Sequence, residues 1–543
     1  MSSIFDLKTS VEQLSSANQG TSRMEYDQHP PTRDVTLNNF PNGAIHFRWT
    51  TSGQKWWVPS RSYLRLRCKL SKANGSQLST DDGIAPNMGL CASLFQSAEF
   101  RINDKTVSRI SDFMPQVDAL ETRISKSRSW LQGVGKSVNL WQPKFRDRQT
   151  VVASDGEKKE NEILGIVGRL ELGYGAGVTV ALAADTGVVT FSAASSQGQP
   201  FRVGDEIEIT SPAGVTRRKI SAVAGDGLTI TLNGDKSNAI VAAVLDFKRI
   251  RSLSPNDSRA VSEFELIWSP PLSIFKLGHA LPSMKAELVL NPQTASVYQK
   301  YAIQSDPEQA DKVPNLGTPA APNPNNADYL FQVQDMYFYC NTVNGPRADD
   351  ITYLLDLDTI SCQSEQFSAG QTSFQQKNFD VSPSTYALTA TYQDSRAGTD
   401  TRRSSTIFRS ATVAGVDGEE SKINRLFINY AGQNFPSPDA DPSFDDTKDN
   451  TTQRYVASQI YSGAIYDSGG AESIEEWRER GSYYLFATPR DGTDASTRVN
   501  VHQSFAAGTD TTNMRVLLFA HSKQVARVRV QDGRVAQVDL EDA

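Results

Sequence analysis

Val58-Pro-Ser-Arg-Ser-Tyr-Leu-Arg-Leu-Arg-Cys-Lys-Leu70 decides how the rest of this chain is read. From Arg61 to Lys69 it alternates with period two. Tyr63, Arg65, Arg67 and Lys69 fall on one face, and Leu64, Leu66, Cys68 and Leu70 on the other. That is the pattern of a half-buried strand. Similar patterning runs outward in both directions. Ala44–Trp49 alternates, Ala98–Ile102 leads to a turn at Asn103-Asp104, and Glu263–Trp268, Met284–Leu290 and Tyr329–Cys340 follow. After a Pro- and Asn-rich connector at 305–328, a second β region opens at Asp349–Cys362. It continues near Thr385–Tyr392, Asn424–Tyr430, Ser482–Thr488 and Met514–Ala520. Helical spacing is confined to Met114, Val117, Leu120 and Ile124, to Glu472–Arg480, and to the first residues of the chain.

Two segments stand apart. Residues 1–33 read as an arm: Ile4, Leu7, Val11 and Leu14 fit a short amphipathic helix, and Ser16–Arg33 reads as an extended linker. Residues 163–250 are rich in Gly, Ala, Val and Thr. Strands are expected at 201–210, Val215–Val223 and Gly227–Leu232, as in a small β-barrel or sandwich inserted as a unit. The expected organisation is an arm at 1–33, a first β domain at 34–342 interrupted by an inserted unit at 165–250, and a second β domain at 343–543.

Composition narrows the function. The chain has 543 residues, 38% hydrophobic and 22% charged, so it buries a sizeable core without staples. Cys68, Cys91, Cys340 and Cys362 lie far apart with no CxxC, which argues against a disulfide scaffold or a zinc ribbon. No secretory signal is read at the start, so synthesis inside a cell without secretion is expected. Net charge is −7, and the arm balances Lys8, Arg23 and Arg33 against Asp6, Glu12, Glu25 and Asp27. Such an arm is poorly suited to gripping nucleic acid, and no strong direct binding to it is expected.

Catalytic signatures are missing where they would be legible. None of the five histidines is paired at metal spacing, and no GxSxG elbow occurs. Gly133-Val-Gly-Lys-Ser137 resembles the end of a phosphate-binding loop, but Trp130 stands where that loop needs its first glycine, so it reads as a surface turn. Asp439, Asp441 and Asp445 are weak candidates for a metal. Their loop lacks the central Gly and terminal Glu of a calcium hand and reads as solvated. No cofactor and no enzymatic activity are expected.

A series of motifs in order adds a family. Val58–Gly75, Asp81–Pro86 and Leu90–Asp104 resemble the opening of double jelly-roll major capsid proteins of adintoviruses and related Polinton-like elements, which have virophage and tectivirus-like relatives. Leu120-Glu-Thr122, Pro271–Pro282, Phe367–Phe374, Phe427–Pro436 and Gly481–Ala487 resemble later motifs of that family, in the same order. Thr488-Pro-Arg-Asp-Gly492 departs from its usual continuation. The resemblance implies an all-β fold of two eight-stranded sandwiches side by side, an inserted small β domain and few short helices. It implies a structural capsid protein of a DNA virus that trimerises into pseudo-hexameric capsomers and tiles an icosahedral shell. Its partners would be two more copies, neighbouring capsomers, and penton and minor or cement proteins. It would reside in the virion, and the insertion would form an outward turret able to meet a host receptor. Trp56-Trp57 is the expected interface pair, since neighbours on a strand point to opposite faces. Ile4, Phe5, Leu7, Val11 and Leu14 are the expected arm contacts. The competing readings are a β-sandwich spike or carbohydrate-binding protein that forms no shell, and a glycoside hydrolase on a β scaffold.

Overall fold

The computed structural model describes residues 24–35, 40, 43–52, 54–72, 84–86, 88–141, 150–152, 158–160, 169–172, 180–182, 188–191, 201, 206–211, 214–232, 246–252, 263–293, 298–300, 317–318, 321–322, 329–345, 348–373, 375–398, 405–409, 423–435, 450–466, 472–474, 477, 482–487, 498–507, 509 and 511–542. The expected arm helix and the contacts Ile4, Phe5, Leu7, Val11 and Leu14 lie outside them, as do Asp439, Asp441 and Asp445.

The deciding stretch is a strand, Tyr63–Lys72, and its alternation holds. Leu64, Leu66 and Cys68 are buried, whereas Arg67 faces solvent. Eight strands build the first roll in chain order: Met24–His29, Ile45–Thr50, Tyr63–Lys72, Phe95–Ile102, Lys105–Ile110, Glu263–Trp268, Lys285–Pro292 and Tyr329–Asn344. The first, eighth, third and sixth pair in that order in one sheet, and the second, seventh, fourth and fifth in the other. This interleaving is the wrap of a jelly roll: a long hairpin is folded over so that its two ends share a sheet. Lys55–Trp57 adds a short piece beside the eighth strand.

The second half repeats the wrap. Thr352–Gln366, Gln375–Asp380, Thr385–Asp394, Ile423–Tyr430, Gln433–Phe435, Tyr483–Ala487, Arg498–Phe505 and Met514–Gln531 pair as first-eighth-third-sixth and second-seventh-fourth-fifth. A ninth strand, Arg534–Asp542, folds back on the last of them. The chain is a double jelly roll. One apolar cluster runs through both rolls, from Val35 to Val538.

Turn chemistry repeats as well. The fourth and fifth strands are joined in each roll by two residues with positive φ, Asn103-Asp104 (48° and 66°) and Ala431-Gly432 (51° and 78°). Two-residue turns of that hand match the twist of the strands they join. Asn and Asp tolerate the left-handed region through their short polar side chains, and Gly lacks the Cβ that resists it.

In each roll a helix follows the fifth strand: Met114–Ser125 in the first, Asn450–Tyr466 in the second. The first coincides with its expected span. The second is absent from the sequence reading. The first helix is followed by the turn of Gly133–Ser137, which is helical and comes after no strand; a Cβ on Gly135 would lie 2.4 Å from the Trp130 ring.

The insertion sits next, before the sixth strand. The three expected strands are present, as Glu206–Ser211, Gly214–Val223 and Thr229–Leu232, and the described residues add four more, so that seven antiparallel strands pair within the insertion, the first in chain order Arg169–Leu172 and the last Asp246–Ser252. Its longest strand, Gly214–Val223, carries an irregularity between Ile220 and Ala222 that bends it. Val189, Ile207, Ile220 and Ile230 are buried there, and none belongs to the cluster that runs through the rolls. The arm is also revised. Residues 16–33 were expected as linker, yet Met24–His29 is the edge strand beside Tyr329–Asn344. The first roll therefore begins ten residues before the expected boundary at 34.

Candidate functional site

The described residues hold no group of three or more His, Cys, Asp or Glu placed to bind a metal. Among the described residues, a buried polar site lies at the seam where the two rolls meet. Arg123, near the end of the Met114–Ser125 helix, reaches into the second roll. Its Nε donates to Glu472 Oε1 at 2.8 Å and its Nη2 to Oε2 at 2.7 Å. Their side chains are 0% and 1% exposed. The guanidinium also lies over the rings of Tyr483 and Phe408, at 5.1 Å and 5.6 Å. A planar fork of donors on a carboxylate, stacked against aromatic faces, is the geometry in which arginine is hard to replace. Glu472 is held in turn: Tyr455 Oη donates to its backbone carbonyl at 2.6 Å.

Further bonds cross the seam on both sides of this pair. Gln116 Nε2 donates to Gln393 Oε1 at 3.1 Å, and Gln393 Nε2 donates to the carbonyls of Ser405 and Ile407. Arg515 Nη2 donates to the same Gln393 oxygen at 2.6 Å, and its guanidinium sits over Phe113. Thr406 Oγ1 donates to Met88 O, and Ser462 Oγ to Ile124 O, each at 2.8 Å. At the far end, Asn103 Nδ2 donates to Val535 O at 2.6 Å and Val535 N to Ser283 O at 2.8 Å, so the ninth strand of the second roll clasps the first. These bonds are directional. They fix how one roll is turned against the other, which an apolar contact alone would leave loose.

The same helix carries a titrating group. Asp118 is buried, and Trp268 Nε1 in the sixth strand donates to its Oδ1 at 3.3 Å. Burial pushes its carboxyl up to about 7. The Trp268 bond, Lys126 and Lys276 oppose the rise, and Glu121 adds to it. Unfolded, the group ionises near 3.8. The folded state thus holds a proton that the unfolded state loses, and stability falls as pH rises from about 4 to 7. Asp118→Asn removes this component. Relative to the native chain, the variant therefore gains stability across that window, with a slope approaching about 1.4 kcal/mol per pH unit. Urea unfolding of both proteins at several pH values checks it, and parallel curves would sink it.

The expected interface pair lies elsewhere. Trp57 is fully buried and Trp56 is 4% exposed. Trp57 stacks on Phe100 at 4.9 Å and meets Trp49 and Phe275 edge-on, while its Nε1 donates to Ser62 Oγ at 2.8 Å. Lys55–Trp57 pairs with Tyr329–Asn344 on one side, and Trp57 exchanges two hydrogen bonds with Leu281 on the other. Both faces of the strand are covered, so neither indole is left for a neighbour. Sequence reasoning missed Arg123 and Glu472. A charged residue on a helix reads as solvent-facing, and no local spacing joins two positions in different rolls.

No protein-family model matches the sequence, and no curated protein does. Solved structures match by shape. A chain of the Sputnik virophage, from a cryo-EM structure, aligns with a TM-score of 0.50 and 11% identity over 98% of this chain and 92% of that one. The Faustovirus major capsid protein aligns at 0.47 and 10%, over 96% and 93%. The mavirus major capsid protein aligns at 0.43 and 11%, over 97% and 93%. At such identity the Sputnik likeness speaks to fold, and the fold it shares with this chain is the double jelly roll derived above from strand order.

Proposed function

We propose that this chain is the major capsid protein of a DNA virus. The observation that carries the reading is the tandem repeat itself. Two rolls with the same strand order, and a helix at the same place in each, are locked through a buried seam into one rigid block. A block of two like units is suited to building a wall, because three copies in a ring present six similar rolls and tile a flat facet with near-equal lateral contacts. The likeness in fold to the Sputnik chain supports the reading. The motif series from Val58 onward points the same way.

On this reading the chain forms homotrimeric, pseudo-hexameric capsomers that meet neighbouring capsomers, penton and minor or cement proteins in the virion. The insertion projects as a turret suited to contact with a host surface. Asp439, Asp441 and Asp445 remain candidates for a cation at most, and the arm residues Ile4, Phe5, Leu7, Val11 and Leu14 for contacts between capsomers. Light scattering on the purified chain is expected to give three times 59.6 kDa, and negative-stain images a six-lobed outline or closed shells. A chain that stays at 59.6 kDa at every concentration would overturn the capsid reading and favour a binding module.

A further inference from the structure

The two helices that follow the fifth strands can be superposed by what each turns toward its own sixth strand. In the first roll it is Asp118, whose Oδ1 accepts from Trp268 Nε1. In the second it is Ser458, whose Oγ accepts from Leu485 N at 3.3 Å. With these two matched, Gln116, Leu120 and Arg123 fall on Val456, Ile460 and Gly463. Residues spaced by four and three form one stripe of a helix surface.

In the first roll that stripe is the seam. Gln116 bonds to Gln393 and Arg123 to Glu472, with Leu120 buried between them. In the second roll the matching stripe is open. Val456 is 43% exposed and Ile460 63%, and a Cβ on Gly463 would meet nothing within 4 Å. This exposed branched aliphatic pair lies one turn apart on a helix whose counterpart is sunk in a neighbouring roll, so the repeat itself singles out the stripe.

We infer that the Val456–Ile460 face is the docking surface for the first roll of a second copy of this chain, and that it repeats between chains the packing that the Met114–Ser125 helix makes within one. The contact is head-to-tail, so it propagates around a ring and closes when the last copy reaches the first. The inference rests on the capsid reading and assigns the face through which its copies join.

The test compares the native chain with Ile460→Glu by light scattering at matched concentration, with thermal melting of both. Ile460 is solvent-facing in the chain, so the substitution leaves the rolls folded. The expected result is a threefold fall in mass, to that of one chain. If Ile460→Glu keeps the multimeric mass of the native chain, the inference is overturned while the capsid reading stands. A native chain that is itself monomeric overturns both. Should Ile460→Glu misfold, Ile460→Cys labelled with a bulky maleimide decides. Protection in the assembled sample that is lost on dilution supports the contact, and equal labelling in the two overturns it.

Discussion

Arg123→Ala or Glu472→Ala is expected to destabilise the chain by about 3–5 kcal/mol, because each leaves the other charge buried and unmatched. The pair is fully enclosed, bidentate and flanked by two aromatic rings, so water cannot replace the lost partner without opening the seam. A second expectation separates the pair's cost from its worth. Replacing both at once, Arg123→Met with Glu472→Leu, removes two desolvation penalties together and recovers most of the loss. Urea midpoints of the three variants give the answer. Single changes that move stability by less than about 1 kcal/mol would mean that the pair is solvated and the seam is held by its apolar packing.

Trp57→Ala is expected to cost a similar amount, about 3–5 kcal/mol, through a different term: the loss of a buried indole and the cavity it leaves. Trp57 sits where Phe100, Trp49 and Phe275 converge, so collapse of the cavity is resisted by rings that have no room to turn. Its indole N–H also supports Ser62, whose Oγ accepts from Asn341 N at 2.9 Å and donates to Val58 O at 3.0 Å. Trp57→Phe keeps most of the packing and loses the bond, for about 1–2 kcal/mol. The measurement is chemical denaturation at two protein concentrations. A core role predicts the same loss at both. A loss that appears only where copies associate would restore the interface role that burial argues against.

Strand order was not legible in the sequence, but the existence of the strongly alternating strands was, whereas Met24–His29, Gln375–Asp380 and Arg498–Phe505 escaped the reading, and the reason is physical. Alternation along Tyr63–Lys72 or Glu263–Trp268 follows from one buried face, a property of the segment alone. The pairing of Tyr63–Lys72 with both Tyr329–Asn344 and Glu263–Trp268 depends on partners more than 190 residues away. The motif resemblance, not periodicity, supplied that architecture in advance. The Asn450–Tyr466 helix escaped notice because its inner face bears Tyr455, Ser458 and Ser462, which bury hydroxyls on specific acceptors and donors rather than an aliphatic stripe. Val456 and Ile460 point outward, which inverts the usual pattern. The expectation for Trp56-Trp57 failed because it treated the strand as having one covered face. Both of its faces are covered, and both indoles are enclosed.

The seven-stranded insertion keeps its buried residues to itself, with Val189, Ile207, Ile220 and Ile230 packed apart from the cluster that fuses the rolls. Mutational damage is therefore partitioned. A substitution in that small sheet is felt there, and the two rolls melt where they did before. Such insulation lets one part of a gene drift quickly while the rest is held to a jigsaw, and it makes residues 165–250 the place where a foreign fold can be exchanged without renegotiating the seam.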